Sequence, residues 1–333
     1  MNAVGIKDIA RQAGVSVSMV SRVINGKSYV NEAKREKILR LINETGFVPS
    51  NTARNMVMKR SFSIAIVLPD MFNIFQRQLV AVIERQLDYF GYQLVFFMVN
   101  FDDASEAECL ARIKSEKIDG LILIQEVRNI EFYEYLVQRN IPAVSVTFER
   151  NGLPSVHVDD ESAAFEAVSH LINLGHRSIA FINSVGFSFT RHRENGYYRA
   201  LASASITLHE PVAISVPQFT PEAGVYGMRG LLLSKHQHTA IFAATDELAF
   251  GAIRALKDYG ISVPNEVSVI GFDDIDISNF MVPRLTTIRQ PIQEMGERAV
   301  QMLNRLISGK TVPKNKVLLE HRLIIRESTA VPA

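Results

Sequence analysis

The sequence predicts a small all-α head followed by an α/β body of two doubly wound lobes. The first 60 residues place apolar side chains at helical spacing between short polar stretches. From about residue 61, apolar β-branched runs alternate with helical patterns, which is typical of parallel sheets covered by helices on both faces. A length of 333 residues also exceeds one ordinary core, so we expect two or three domains.

The composition argues against a secreted protein and against a membrane-spanning one. The single cysteine, Cys109, allows no internal disulfide and fits a reducing compartment. The first residues, MNAVGIKDIARQAG, hold no apolar core of signal-peptide length, and no run approaches the roughly 18 apolar residues of a membrane span. We therefore expect a cytoplasmic protein with no membrane partner.

The charge is distributed unevenly between head and body. Residues 1–60 contain 11 lysines and arginines against four aspartates and glutamates, a net charge of +7, so the rest carries −6 of the overall +1. Lysine and arginine displace counterions from phosphates, which makes a basic head typical of nucleic-acid binding. A solvated basic face is the alternative, and charge alone does not decide between them.

Three helices are expected in the head, over Lys7–Ala13, Val17–Asn25 and Glu32–Thr45. Gly14 and Gly46 follow the first and third of them, where glycine tolerates left-handed backbone angles. Ser16 and Asn31 are favourable N-cap residues for the second and third. Two short helices joined by a glycine-containing turn and braced by a third have helix-turn-helix geometry.

The second helix displays a small, hydroxyl-rich face. A helix in the major groove needs short residues for close approach, hydroxyls and amides for phosphates, and a few side chains aimed at base edges. Arg22 can bind a guanine through two hydrogen bonds, and Val17 or Met19 can touch a thymine methyl group. A plain three-helix packing module is the alternative, which the basic charge and the polar face disfavour.

The segments KDIARQAGVSVSMVSRVING, VNEAKREKILRLINETGFVPS and NTARNM resemble the lactose-repressor/galactose-repressor family of bacterial transcription regulators. The match runs without a gap through the head and resumes along the body, so it covers nearly the whole chain. Met19 departs from the threonine that is usual in the family. The resemblance implies that bases are read by Val17, Ser18 and Arg22, and that phosphates are held by Ser16, Ser21 and Asn25.

A hinge is expected at residues 49–60. A proline at its start ends the third helix, and Ser50 or Asn51 can cap a short helix through Ala53 and Met56. A helix of this length is marginal in water, so without DNA we expect a solvated linker. In the resembled family two hinges fold on the operator, pair in the minor groove and wedge an apolar side chain into the central base step. The resemblance puts Asn51 and Ala53 against DNA and gives the wedge position to Met56.

The expected body elements alternate along the chain. In the first lobe they are strand 61–69, helix 75–90, strand 93–98, helix 104–115, strand 120–124, helix 130–138 and strand 142–146. In the second they are helix 160–174, strand 178–182, helix 193–204, strand 212–216, helix 223–233, strand 239–244, helix 247–259 and strand 267–272. A helix at 296–309 is expected to return to the first lobe.

This body resembles the periplasmic sugar-binding proteins, whose chain crosses three times between lobes, here near Val158, Arg289 and His321. The expected domains are a helix-turn-helix domain at 1–48, a hinge helix at 49–60, and an effector-binding and dimerisation domain at 61–333. Within it, lobe one is expected at about 61–158 and 290–321, and lobe two at about 159–289 and 322–333.

The cleft between the lobes is the expected ligand pocket, because ligands of open parallel sheets lie beyond the carboxyl ends of strands. The residues at those ends are 70–75, 125, 184–189, 219, 245–246 and 273–274. In the resembled family an arginine matching Arg193 points at the effector, a carboxylate matching Asp273 binds hydroxyls, and an aromatic matching Phe219 stacks on a sugar or purine. The full set of expected effector-binding residues is Asn73, Phe75, Gln125, Arg193, Phe219, Thr245 and Asp273.

A carboxylate, an arginine and amides around an aromatic ring suit a polyhydroxylated ligand, so the expected effector is a sugar or sugar derivative. Structural alternatives exist for each residue. Arg193 and Asp273 can form an ion pair, Phe219 can belong to the core, and Asp246 is expected to cap the helix that follows it.

Catalytic and metal-binding constellations are missing from the sequence. The run SGKT at 308–311 mimics the end of a phosphate-binding loop, but Asn304 occupies the position of the leading glycine. There is no G-x-S-x-G elbow, and His236 and His238 lack the pattern of a zinc site. We expect no enzymatic activity, no metal and no cofactor other than the effector.

The sequence therefore predicts a ligand-controlled, sequence-specific DNA-binding regulator, a repressor that binds a palindromic operator as a homodimer. Effector binding is expected to change the angle between the lobes and so the operator affinity. The alternative is a catabolite-type regulator whose co-effector is a phosphorylated partner protein, because PDMFNIF, GHRSIAFI and TDELAFGAI resemble global carbon-catabolite regulators. A plain sugar-binding or transport protein requires a secretion signal and no basic head. No long heptad tail follows Glu327, which argues against a coiled-coil tetramer.

Overall fold

The computed structural model describes residues 4–24, 30–47, 60–69, 73–100, 102–150, 152–184, 186–206, 213–234 and 237–333. The chain divides into two compact units, Met1–Ser61 and Phe62–Ala333, which are described separately below. Four of the residues expected to contact DNA lie outside the described residues, namely Asn25, Asn51, Ala53 and Met56.

The first unit contains helices α1 (Ile6–Ala13), α2 (Val17–Ile24) and α3 (Glu32–Thr45). Gly14 and Gly46 follow α1 and α3 with φ of 70° and 62°, the left-handed conformation that glycine adopts readily. The Ser16 hydroxyl accepts a hydrogen bond from the Met19 amide at 3.3 Å and so caps α2. Asn31 precedes α3 but its side chain makes no capping hydrogen bond, so that expected side-chain role is wrong.

The core of this unit is small. Its buried side chains are Ile9, Ala10, Ala13, Val20, Val23, Ile38 and Phe47. Apolar burial contributes roughly 25 cal/mol per Å², so every large side chain in such a core is a substantial part of its stability. Because Val20 and Val23 face this core, the opposite side of α2 faces outward.

The described part of the second unit contains two sheets. The strands of the first are β1 (Ser63–Pro69), β2 (Gln93–Val99), β3 (Gly120–Leu123), β4 (Ala143–Val146), β5 (Ser155–Val158) and β11 (Lys316–Leu319). The strands of the second are β6 (Ile179–Ser184), β7 (Ala213–Val216), β8 (Ala240–Ala243), β9 (Ser268–Asp273), β10 (Thr286–Arg289) and β12 (Arg322–Ile324).

Helices connect these strands and pack on the sheets. They are α4 (Ile74–Tyr89), α5 (Asp103–Ser115), α6 (Ile130–Gln138), α7 (Asp160–Asn173), α8 (Ser188–Ser203), α9 (Pro221–Leu233), α10 (Asp246–Asp258) and α11 (Ile292–Ile307). A 3₁₀ turn at Asp276–Asn279 precedes β10. No helix among the residues described is long and apolar enough to cross a membrane.

The strand order is β11–β5–β4–β3–β1–β2 in the first sheet and β12–β10–β9–β8–β6–β7 in the second. The paired strands are parallel, apart from the antiparallel pair β10–β12. Strands β3 and β8 are buried at every position, which explains why they read as continuous apolar runs. The expected two-lobe parallel-sheet body is confirmed.

The chain passes between the two sheets at three places. It leaves the first sheet after β5, returns through α11, which packs on α4 and on β3, β4 and β5, and passes from β11 to β12. The strands β5, β10, β11 and β12 were not expected from the sequence. Each has only three or four residues, and polar side chains interrupt the apolar pattern that would reveal it.

Candidate functional site

The outer face of α2 carries most of the described residues expected to contact DNA. Ser16, Ser18 and Arg22 are exposed, and Val17 is 40% exposed although it is apolar. The hydroxyls of Ser16 and Ser18 lie 2.9 Å apart and share a hydrogen bond. This face therefore presents short hydroxyl groups and one guanidinium that a ligand can approach closely.

Two further expected DNA contacts are less accessible. Ser21 is partly buried on the same helix. Met19 is also partly buried and packs against the core of the head. Because its thioether chain serves that core, a thymine contact by Met19 requires the side chain to reorient.

A cavity of about 40 Å³ lies between the two lobes of the body, at the carboxyl ends of the strands. It holds a few water molecules at most, since one water needs roughly 10–15 Å³ of such volume. Six of the seven expected effector-binding residues line it, namely Asn73, Phe75, Gln125, Arg193, Thr245 and Asp273.

Helix caps place two of these residues. The Asn73 side chain accepts a hydrogen bond from the Gln76 amide at 2.9 Å and starts α4. The Thr245 hydroxyl accepts one from the Leu248 amide at 3.3 Å and starts α10. Asp246 was expected to cap this helix, and that expectation is wrong because Asp246 is already its first helical residue.

Arg193 is fixed on α8, which begins at Ser188 rather than at the expected position 193, so that Arg193 lies in the second turn. Its Nε donates to Asp160 Oδ1 at 2.8 Å and its Nη1 to the Ala244 carbonyl at 2.5 Å. The guanidinium also lies 3.5 Å from the centroid of the Phe272 ring. Burial raises the pKa of Asp160 although Arg193 opposes that shift.

Asp273 ends β9 and is 4% exposed. Its φ of 124° is a conformation that costs a non-glycine residue about 1–3 kcal/mol and is typical of functional sites. Gln290 Nε2 donates to its Oδ1 at 2.7 Å, and Arg193 Nη1 lies 3.9 Å from the same oxygen. Burial raises the pKa of Asp273 well above its usual value, opposed by Arg193 and reinforced by Asp246.

Asp246 is hydrogen-bonded to the segment that follows Asp273 and to β10. Its carboxylate accepts hydrogen bonds from the Ile275 amide and from the hydroxyls of Ser278 and Thr287, at 2.5 to 3.0 Å. Burial raises its pKa to about 7 against these bonds. Asp246 and Asp273 are therefore two buried carboxyl groups with raised pKa values, and the charge of Asp246 contributes to the raised pKa of Asp273.

Phenylalanine rings form one wall. Phe187 and Phe189 line the cavity together with Phe148. Phe219 does not line it. Its ring packs 5.1 Å from Phe187 and 5.5 Å from Phe189, so it supports the wall from behind. Direct stacking of an effector on Phe219, expected from the resemblance, therefore requires the two nearer rings to move.

Sequence reasoning missed Phe148 and Gln290. Phe148 lies two residues beyond β4, so the rule used for the other strand ends could have found it. Gln290 directly follows β10, whose four residues were not recognised as a strand. The signal for Gln290 was the β-branched run of Thr286, Thr287 and Ile288.

A second cavity of about 230 Å³ continues from the first and shares Thr147, Phe148, Ser188 and Phe189 with it. Glu149 and Lys316 form an ion pair at its edge. Among the residues described, no group of three or more histidine, cysteine, aspartate or glutamate side chains is placed to hold a metal ion.

Comparison with known proteins covers both units. The family profile described as bacterial regulatory proteins, lacI family, matches residues 5–50, and that of a periplasmic binding protein-like domain matches residues 168–329. Catabolite control protein A of Priestia megaterium is 33% identical over 330 residues, which cover 98% of this chain and 99% of that protein.

Two solved structures are similar over nearly the full length. A lac repressor dimer bound to operator and the anti-inducer ONPF has a TM-score of 0.87 at 28% sequence identity, covering 99% of this chain and 100% of that one. A complex of the transcriptional regulator CelR with cellobiose has a TM-score of 0.74 at 28% identity, covering 98% and 99%.

Proposed function

Because this chain belongs to the lacI family of bacterial regulatory proteins, we propose that it is a transcriptional repressor controlled by a sugar or sugar derivative. The observation that carries the effector half of this proposal is the cluster of Arg193, Asp273 and Gln290 against a phenylalanine wall. Carboxylate and amide groups bind hydroxyls, and aromatic rings pack on the apolar face of a sugar.

Operator recognition is assigned to α2. Arg22 reads a guanine in the major groove, Val17 and Ser18 contact neighbouring base edges, and Ser16 and Ser21 bind phosphates. Two copies of the chain place two such helices in the halves of a palindrome. The similar lac repressor structure, a dimer bound to operator, supports this arrangement.

The hinge completes the DNA contact. Residues 49–60 fold on the operator, where Asn51 and Ala53 touch the minor groove and Met56 enters the central base step. Asn25, at the end of the recognition segment, binds a phosphate. A repressor of this kind acts beside the chromosome in the cytoplasm and performs no catalysis.

Effector binding and operator binding are coupled through the lobes. Residues of both lobes line the cavity, so a sugar bound there contacts both lobes and can change the angle between them. The similar CelR–cellobiose complex supports a sugar as the class of ligand. Coupling energies of this type are typically about 1–3 kcal/mol and are reciprocal between the two ligands.

The direct test is a thermal-shift screen of sugars, sugar phosphates and purines on the full chain, since a bound ligand raises the melting temperature by mass action. Hits are then titrated against Asp273→Ala, which we expect to lose the response while retaining operator binding in a gel shift. Full ligand affinity of Asp273→Ala in calorimetry would remove this residue from the site.

A second candidate is a catabolite-type regulator with a phosphorylated protein as co-effector. The 33% identity to catabolite control protein A favours it. In that case no small molecule alone changes operator affinity. A phosphoprotein that is recovered from cell extract on the immobilised chain raises or lowers that affinity when it is added.

A further inference from the structure

Besides the contacts of Gln290 with Asp273 and of His321 with Glu166 at the crossovers, two hydrogen bonds among the described residues cross the cleft between the lobes of the body. The Ile74 amide of the first lobe donates to Glu247 Oε2 of the second at 3.0 Å. The Arg128 guanidinium of the first lobe donates through Nη2 to the Gly186 carbonyl of the second at 3.1 Å. Each of these bonds joins segments that are far apart in sequence, so each constrains the distance between the lobes.

Glu247 lies where the first turns of two helices meet. It belongs to the first turn of α10, and Ile74 is the first residue of α4. Helix N-termini carry unpaired amides and partial positive charge, so one carboxylate stabilises both ends at once. Asn73 and Phe75, the neighbours of Ile74, line the cavity, as does Thr245 two residues before Glu247.

Arg128 is held in place by a buried carboxylate. Glu106 on α5 is 1% exposed and accepts hydrogen bonds from the amides of Arg128 at 3.0 Å and Asn129 at 2.7 Å. These bonds fix the segment after β3, whose residues Gln125 and Glu126 line the cavity. On the other side of the cleft, the residue after Gly186 is Phe187, a member of the aromatic wall.

We propose that Glu247 and Arg128 are positioning residues of the effector site and form a two-point latch that holds the lobes closed across the cavity. The latch connects Asn73 and Phe75 to Thr245 at one point, and Gln125 to the phenylalanine wall at the other. An effector enters only when both bonds open, and its affinity includes the cost of opening them. This inference rests on the proposed function for the identity of the ligand but not for the latch itself.

The chain offers a matched control. Glu222 occupies the second position of α9, as Glu247 does in α10, but its side chain is exposed. Burial raises the pKa of Glu247 and the charge of Glu222 adds to that shift, so Glu222→Ala controls for the loss of a nearby first-turn carboxylate that does not bond to Ile74. Glu247→Gln retains a carbonyl oxygen that can accept the Ile74 amide, whereas Glu247→Ala does not.

Hydrogen exchange of the full chain without effector measures the first bond. We expect exchange of the Ile74 amide to rise at least about tenfold in Glu247→Ala, to stay near the wild-type rate in Glu247→Gln, and to be unchanged in Glu222→Ala. Faster exchange in β8 and β9 of Glu247→Ala as well would show that this substitution damages the second lobe. The latch is then tested with Arg128→Ala and Glu247→Gln instead.

Pulsed electron paramagnetic resonance measures the distance between lobes. Spin labels are placed at Ala107→Cys in α5 and Ala202→Cys in α8, both exposed, in a Cys109→Ser background diluted with unlabelled chain. We expect a longer and broader distance in Glu247→Ala and Arg128→Ala, and the longest in the double variant. Distances and Ile74 exchange equal to those of Glu222→Ala would overturn the latch.

The two proposals fail separately. Neither latch measurement uses an effector, so a negative sugar screen leaves the latch result intact. A positive sugar screen with unchanged distances in both latch variants removes the latch and leaves the effector site.

Discussion

In the head, Val17 and Arg22 stand exposed on an eight-residue helix, whereas in the body Arg193 and Asp273 are each only 4% exposed. The head presents its recognition groups to solvent, and a small core beneath them only has to hold α2 in place. The cleft instead buries its charged groups and must pair each of them within the protein. Substitutions should therefore separate function from stability in the head and combine them in the cleft.

The largest expected effect tests the cleft side of this comparison. Arg193→Ala leaves Asp160 and the Ala244 carbonyl without their buried partner. Breaking a buried ion pair in this way costs about 3–5 kcal/mol. We expect the urea midpoint of the body to fall sharply and the thermal response to any effector to disappear. Arg199→Ala, which removes a more exposed ion pair with Glu161 from the same helix, is the control and should cost no more than about 1 kcal/mol.

Equal midpoints for these two variants would show that the buried guanidinium of Arg193 stabilises the fold no more than the exposed one of Arg199. In that case the claim that substitutions in the cleft affect function and stability together fails.

The next effect concerns the core of the head. Ile38 is fully buried in α3, and truncation of such a side chain to alanine costs about 2–5 kcal/mol. Because the head core has only seven buried side chains among the residues described there, we expect Ile38→Ala to abolish operator binding in a gel shift. The exposed neighbour Leu39→Ala should retain it. A change in the effector affinity of Ile38→Ala, measured without operator, would contradict the separation of the two units.

The third prediction concerns the pH dependence of stability that the buried carboxyl groups near the cleft cause. Asp246 has a pKa raised to about 7 in the folded chain and an ordinary value near 3.8 when unfolded, and the pKa of Asp273 is raised as well. The folded state then binds more protons at these two groups, so their contribution to stability is greatest at low pH and is lost as the pH rises through about 7. The slope for one such group is at most about 1.4 kcal/mol per pH unit.

Urea titrations of the full chain between pH 5 and pH 8 check this sign. His157, His170 and His176 act in the opposite sense, because burial lowers their pKa values. We therefore expect the midpoint of wild type minus that of Asp246→Asn to decrease with pH. A difference that stays constant or rises over this interval would show that Asp246 is ionised in the folded chain throughout.

The same contrast explains what the sequence could predict. In the head, helices α1 to α3 could be located because Gly14, Ser16 and Gly46 mark their ends locally. The buried strands of the body could be located because their apolar runs are continuous. Residues 188–192 were left out of α8 because their polar and aromatic mixture gives no helical period, although the helix begins there.

The cleft could be predicted only in part, because its residues come from many strand ends. Arg193 and Asp273 follow from a family resemblance, but nothing in their local sequence reveals that Asp160 holds the arginine or that Gln290 holds the aspartate. Those pairings depend on how two sheets face each other across long sequence separations. Glu106 and Glu247 gave no signal for the same reason, since a lone glutamate in a first helical turn is ordinary.

The smallest expected effect tests the head side. Arg22 is exposed, and its truncation removes no contact of the core, so Arg22→Ala should leave the unfolding transition within about 0.5 kcal/mol of wild type. One bidentate contact to guanine is worth about 1–3 kcal/mol of discrimination, which predicts a loss of roughly 5- to 150-fold in preference for the operator over a substituted site.

Competition gel shifts with oligonucleotides selected from a random pool measure this ratio, and Arg11→Ala, outside α2, is the matched control. Arg11 is exposed and pairs with Asp8 on α1, so Arg11→Ala should leave the preference for the operator over a substituted site unchanged. Unchanged operator preference in Arg22→Ala would mean that the exposed face of α2 does not read bases, and the contrast between an exposed reading surface and a buried binding cleft would then have to be abandoned.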